Sequence, residues 1–115
     1  MKTFIPDKCH LWSKESLKAD DLRFRLVESY IDTSHFGFER HLVRGADCGQ
    51  TYYHEFYEVI DWDEGNDLQY KTFIPIQPNN VIIDELNKAS SFELLQFFPR
   101  LQIDSKDETT IKWIR

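Results

Sequence analysis

Asp61, Asp63, Gly65 and Asp67 set carboxylates on alternate residues around a glycine, a grouping that can hold a calcium ion. The spacing fails that chemistry. A helix–loop–helix calcium site puts its glycine at the sixth position, for the sharp turn, and a bidentate glutamate at the twelfth. Counted from Asp61, Gly65 is fifth and Thr72 is twelfth. The acids therefore read as a solvated turn. Zinc would need thiolate and imidazole together, and Cys9, His10, Cys48 and His54 are the candidates. Structural zinc sites take their ligands in closely spaced pairs from short loops. This chain has no C-x-x-C and no H-x-x-x-H, so only the fold could gather these four. The expectation is no metal and no cofactor, with Cys9 and Cys48 as ordinary half-buried residues. A chain this hydrophobic does not need a disulfide between them.

General acid–base work requires groups within hydrogen-bond reach of the transferred proton. His35, His41 and His54 are available, and two of these His, or His41 with Glu55, would make the minimal set for a small acid–base enzyme. An RNA-cleaving enzyme would also carry a basic cleft for phosphate, and this chain is acidic. It has no nucleophile elbow, no phosphate-cradling glycine loop and no dinucleotide fingerprint. The sequence is read as a non-enzyme, with His41/His54/Glu55 as the alternative.

The stronger signal is a stretch without bases. Between Arg44 and Lys71 there is no Lys or Arg, but there are Asp47, Glu55, Glu58, Asp61, Asp63, Glu64 and Asp67. Tyr52, Tyr53, Phe56, Tyr57, Trp62 and Tyr70 run through the same segment. Unneutralised carboxylates repel one another and attract a cationic partner. Aromatic side chains supply the contact area that anchors interfaces. Trp62, between Asp61 and Asp63, is either such an anchor or a core residue beside Ile60. The predicted partner-binding set is Tyr53, Glu55, Tyr57, Glu58, Asp61, Trp62, Asp63, Glu64 and Asp67.

The whole chain agrees with a binding role. Its net charge of −6 over 115 residues, with the bases scattered, argues against nucleic acid and anionic lipid as partners. No apolar run reaches the roughly 18 residues needed to cross a bilayer. Met1 to Asp7 lacks the apolar core of a secretion signal, so the expected location is the cytoplasm. No linker or low-complexity tract divides the sequence, and one domain spanning 1–115 is expected. The pentapeptide Lys2-Thr3-Phe4-Ile5-Pro6 recurs at Lys71-Thr72-Phe73-Ile74-Pro75, but neither copy extends into a repeat.

Local patterns predict an α+β fold with a mainly antiparallel sheet. Phe24, Val27 and Ile31 lie on one helical stripe, which predicts an N-terminal helix over 15–31, although Leu22, Phe24 and Leu26 alternate as a strand would. A central meander follows at about 36–76, with strands over 36–44, 51–62 and 68–76. Two short helices are predicted at about 80–98, the second opened by a Ser90/Glu93 capping box and closed by Pro99. Leu101–Asp104 and Thr109–Ile114 would form a last hairpin. Phe92, Phe97 and Phe98, if partly exposed, would suit an adaptor subunit of a cytosolic assembly.

The segment Tyr52-Tyr53-His54-Glu55-Phe56-Tyr57-Glu58-Val59-Ile60-Asp61-Trp62-Asp63-Glu64, in a small acidic chain, resembles the bacterial immunity proteins of contact-dependent growth inhibition and related polymorphic toxin systems. The resemblance is one of type. It implies a cytoplasmic protein that binds and neutralises one cognate toxin, often a basic nuclease domain. It carries over no residue-level site, because these families have no diagnostic motif.

Overall fold

The computed structural model describes residues 5–33, 37–59, 68–77, 81–105 and 109–115. Strands β1 (Phe24–Thr33), β2 (Phe38–Gly45), β3 (Thr51–Val59), β4 (Leu68–Ile76), β5 (Arg100–Ser105) and β6 (Thr109–Ile114) form one sheet. Every pairing is antiparallel, and the spatial order is the chain order. Helix α1 (His10–Ser13) and a single 3-10 turn at Ala19–Asp21 precede β1. Helices α2 (Val81–Lys88) and α3 (Ser91–Leu94) lie between β4 and β5. The result is the predicted α+β domain, extended from the central meander to a six-stranded sheet.

Successive strand residues face opposite ways, so adjacent apolar residues feed separate cores. Leu42, Tyr53, Ile74 and Ile76 pack under Ile83 and Leu86 of α2, Leu94 of α3 and Phe97. Val43, Tyr52, Phe73, Leu101 and Ile103 pack on the reverse face against Cys9 and Leu11. The chain before β1 thus acts as a strap over one face. It is tied to the last strand by Trp113 Nε1, which donates to the Leu11 carbonyl at 2.9 Å. The two faces come from the alternation of Tyr52 with Tyr53, of Val43 with Leu42 and of Phe73 with Ile74.

The predicted capping box is present. Ser90 Oγ accepts from Glu93 N, and Glu93 Oε1 accepts from Ser90 N, each at 3.1 Å. Two free backbone donors at the start of α3 are satisfied this way, which fixes a helix too short to stand on propensity alone.

The predicted helix over 15–31 is corrected. Only the one-turn α1 and the 3-10 turn at Ala19–Asp21 are helical in this part of the chain, and Phe24–Thr33 is β1. The pairing of β1 with β2 slips between Leu26 and Glu28 and again between Ser29 and Ile31. Each slip adds a residue on one strand and shifts the alternation. Each insertion turns the spacing of two along one face into three, as in Arg25, Glu28 and Ile31, so the strand loses its period; Phe24, opposite Gly45, and Ile31, opposite Arg40, face opposite sides and share no stripe. Phe36, Ile60, Trp62 and residues 78–80 lie outside the described residues.

A candidate protein-binding surface

On the helix-covered face, residues opposite one another across β2–β5 form rows. The first is apolar: Leu42, Tyr53 and Ile74 sit side by side under α2. Next comes a polar row of Arg40, Glu55, Thr72 and Gln102, each between 3% and 6% exposed. Arg40 Nε and Nη2 donate to Glu55 Oε2 at 3.0 and 2.9 Å. Its Nη1 donates to the carbonyls of Leu86 and Asn87 at the end of α2, at 2.9 and 3.2 Å. Ser91 Oγ donates to the same Glu55 oxygen at 3.1 Å, and Thr72 Oγ1 donates to Gln102 Oε1 at 3.0 Å. Burial raises the Glu55 pKa, and Arg40 and Ser91 partly offset that rise. The row is therefore an internal scaffold that fastens both helices to the sheet.

The third row is aromatic and reaches solvent. Phe38 faces Tyr57, and Tyr57 faces Tyr70, with ring centroids 6.3 Å apart at both steps. Tyr57 is 39% exposed, as is Val59 at 41% two residues on, and Asp104 continues the row beyond Tyr70. Edge-on and tilted rings at this spacing hold one another in place, so the row is rigid before any partner arrives. Gly37 closes its outer end. With φ +73° it accepts from Glu58 N at 2.8 Å, and a Cβ there would sit 3.0 Å from the Glu58 carbonyl oxygen. Residues 60–67, which connect this end of β3 to β4, carry Asp61, Trp62, Asp63, Glu64 and Asp67.

The predicted partner-binding residues divide accordingly. Tyr57 is at the surface, and Glu58 is half-buried on the reverse face, accepting from Gln69 Nε2 at 2.8 Å. Tyr53 and Glu55 are corrected. Tyr53 is fully buried, its hydroxyl 2.5 Å from Asn87 Oδ1, and burial pushes its pKa up to about 12. Glu55 is neutralised by Arg40. Asp61, Trp62, Asp63, Glu64 and Asp67 lie outside the described residues. Asp47 is also paired within the molecule, through two hydrogen bonds from Arg23 that hold its carboxyl below the usual range. Arg40, Phe38 and Tyr70 were missing from the predicted set. A β2–β3 hairpin centred on Asp47–Cys48 would have aligned Arg40 with Glu55 and Phe38 with Tyr57.

The acid–base alternative does not assemble. His54 and Glu55 are consecutive in β3, so they point to opposite faces. His41 and His54 share the reverse face, 6.3 Å apart, with the sheet between them and Glu55. His54 stacks on Phe73 at 4.1 Å, and its Nδ1 lies 3.1 Å from the Thr72 carbonyl. Burial, with smaller contributions from nearby His41 and Lys71, lowers its pKa to about 4, so it is neutral at pH 7. It lines a shallow concavity of about 580 Å³ with Phe24, Lys71, Phe73 and Ile103, and among the described residues no carboxylate lines that space. Of the predicted adaptor residues, Phe92 is exposed, Phe97 is buried and Phe98 lies under the Arg100 guanidinium at 5.0 Å.

No protein-family model, curated protein or solved structure matches the chain. Among the described residues no helix is long and apolar enough to cross a membrane. The candidate metal ligands are redistributed as well: Cys9, His10 and Cys48 converge, and His54 is held elsewhere by Phe73.

Proposed function

We propose that this protein is an inhibitory binding protein of the immunity type. It acts in the cytoplasm on a cognate, basic, nuclease-type toxin domain rather than on nucleic acid or membrane. The observation that carries this reading is the half-exposed aromatic row Phe38–Tyr57–Tyr70 beside an eight-residue connection bearing four carboxylates and Trp62. A prearranged aromatic anchor gives slow dissociation, and the acids that the connecting segment carries give fast, salt-sensitive association with a cation. Arg40, in the adjoining row, is engaged by Glu55 and does not weaken that field.

The test begins with co-purification from the native cell and identification of the bound protein. Against that partner, Tyr57→Ala should weaken binding by about 30-fold, the size of one central hot spot of about 2 kcal/mol. Reversal of Asp61 and Asp63 to Lys should slow association and flatten its dependence on salt. Circular dichroism should show both proteins folded. Wild-type affinity in both variants would remove this surface as the interface, and an acidic partner would remove the toxin class.

A further inference from the structure

We propose that Cys9, His10 and Cys48 form a zinc-binding site where the N-terminal strap meets the β2–β3 loop. One ligand atom from each lies within 4.8 Å of the others. The sulfurs of Cys9 and Cys48 are 3.0 Å apart, although 39 residues separate them in the chain. Both are free thiols. No sequence spacing announces the site, because its two halves come from different loops.

Each half is held by its own backbone. Cys9 N donates to the Pro6 carbonyl at 2.9 Å and Trp12 N donates to the Cys9 carbonyl at 3.0 Å, which fixes the turn entering α1. In the other loop Gly45 N donates to Gln50 O and Gly49 N donates to Gly45 O, each at 2.9 Å. Gly49 takes φ +75° to allow that turn. Gly45 leaves space for a sulfur: a Cβ there would fall 2.9 Å from Cys48 Sγ. The pair of loops therefore presents two sulfurs and one imidazole from a preformed frame.

The surroundings suit a soft cation. Tyr52, fully buried, donates its hydroxyl to Cys9 Sγ at 3.1 Å, the kind of outer hydrogen bond that orients a ligating sulfur. Cys9 is buried, Cys48 is half-buried and His10 is exposed, so the site is closed by the core on one side and reachable from solvent on the other. Two thiolates and an imidazole favour zinc or copper(I) over magnesium or calcium. Two thiolates also balance the charge of a zinc ion, and each thiol releases its proton to solvent on coordination. Asp47, in the same loop, is taken by Arg23 and leaves the fourth position to water. Tetrahedral zinc–sulfur geometry needs the sulfurs about 3.8 Å apart. A small rotation of the half-buried Cys48 side chain provides it. Coordination would staple the strap, through residues 9 and 10, to the central hairpin.

The full chain, reduced and metal-free, should be titrated anaerobically with Co²⁺. The expected result is sulfur-to-cobalt charge-transfer absorption with tetrahedral visible bands, saturating at about one ion per chain and removed by Zn²⁺. His10→Gln should keep the fold, because His10 is exposed, and weaken cobalt binding at least about tenfold. Cys48→Ser should lose half of the sulfur charge-transfer intensity. Gly45→Ala, which displaces the Cys48 sulfur without removing a ligand, should weaken binding in the same direction. Absence of the charge-transfer bands in the reduced chain overturns the site and leaves the thiols as a packed or oxidisable pair. Unchanged affinity in His10→Gln overturns it equally.

Discussion

Arg40→Met will cost about 3–5 kcal/mol of folding free energy, a large part of what a small domain holds in reserve. The methionine fills similar volume but leaves the Glu55 carboxylate buried without its cation. The Leu86 and Asn87 carbonyls lose their donor at the same moment. Urea unfolding should show the loss as a lower midpoint with little change in slope. The double variant Arg40→Met/Glu55→Gln should recover much of the loss, because an uncharged amide does not require a counter-ion. The single variant also has a pH signature. With Arg40 gone, the rise that burial gives the Glu55 pKa is opposed only by the Ser91 hydrogen bond, so the folded state takes up a proton that the unfolded state declines. The stability of Arg40→Met relative to the double variant should then rise as pH falls through that raised value. The gain should stop below the ordinary value of 4.5. A cost under about 1 kcal/mol would show that the polar row does not hold the helices down.

Acid should act on the wild-type protein through His54 in the opposite sense. Its folded-state pKa of about 4 lies below the ordinary 6.5, so below pH 6.5 the unfolded chain binds a proton that the fold refuses. The stability from a neutral His54 is complete above pH 6.5 and is lost as pH falls toward 4. The loss amounts to about 3 kcal/mol across that window. Fluorescence-detected guanidinium unfolding at several pH values will read it. In His54→Phe the ring can still stack on Phe73, and the acid slope over this window should flatten. Equal slopes in the two proteins would mean that some other group sets the acid sensitivity.

The strands were legible where nothing interrupts the alternation of side chains. Leu68, Tyr70, Thr72, Ile74 and Ile76 mark β4 to the residue, and Ser90 with Glu93 marks the start of α3. The first strand was not legible, because slips at Val27 and Tyr30 break the very period that identifies a strand. The acidic stretch misled in a different way. A carboxylate between tyrosines looks like a wet face until a partner fifteen residues earlier is seen to cover it, and Arg40 does that for Glu55. Charge sums over a segment cannot register pairing across a hairpin. The alignment of two strands can, once the turn at Asp47–Cys48 is recognised. The converging thiols were invisible for the same reason, since their meeting depends on how the strap crosses the sheet.

That crossing also orders events during synthesis. Each strand pairs with the strand made just before or after it, so the ladders can close hairpin by hairpin as the chain emerges from the ribosome. The strap is the exception, because Leu11 must wait for Trp113, its partner 102 residues later. Phe24 of β1 can cover Tyr52 and Phe73 early, but until then the strap that carries Cys9 lacks its tie to the last strand. That interval is when a nascent copy is open to oxidation or to sticking to its neighbours. Pulse-labelled amide exchange during refolding should find the 9–13 amides protected after those of β3 and β4.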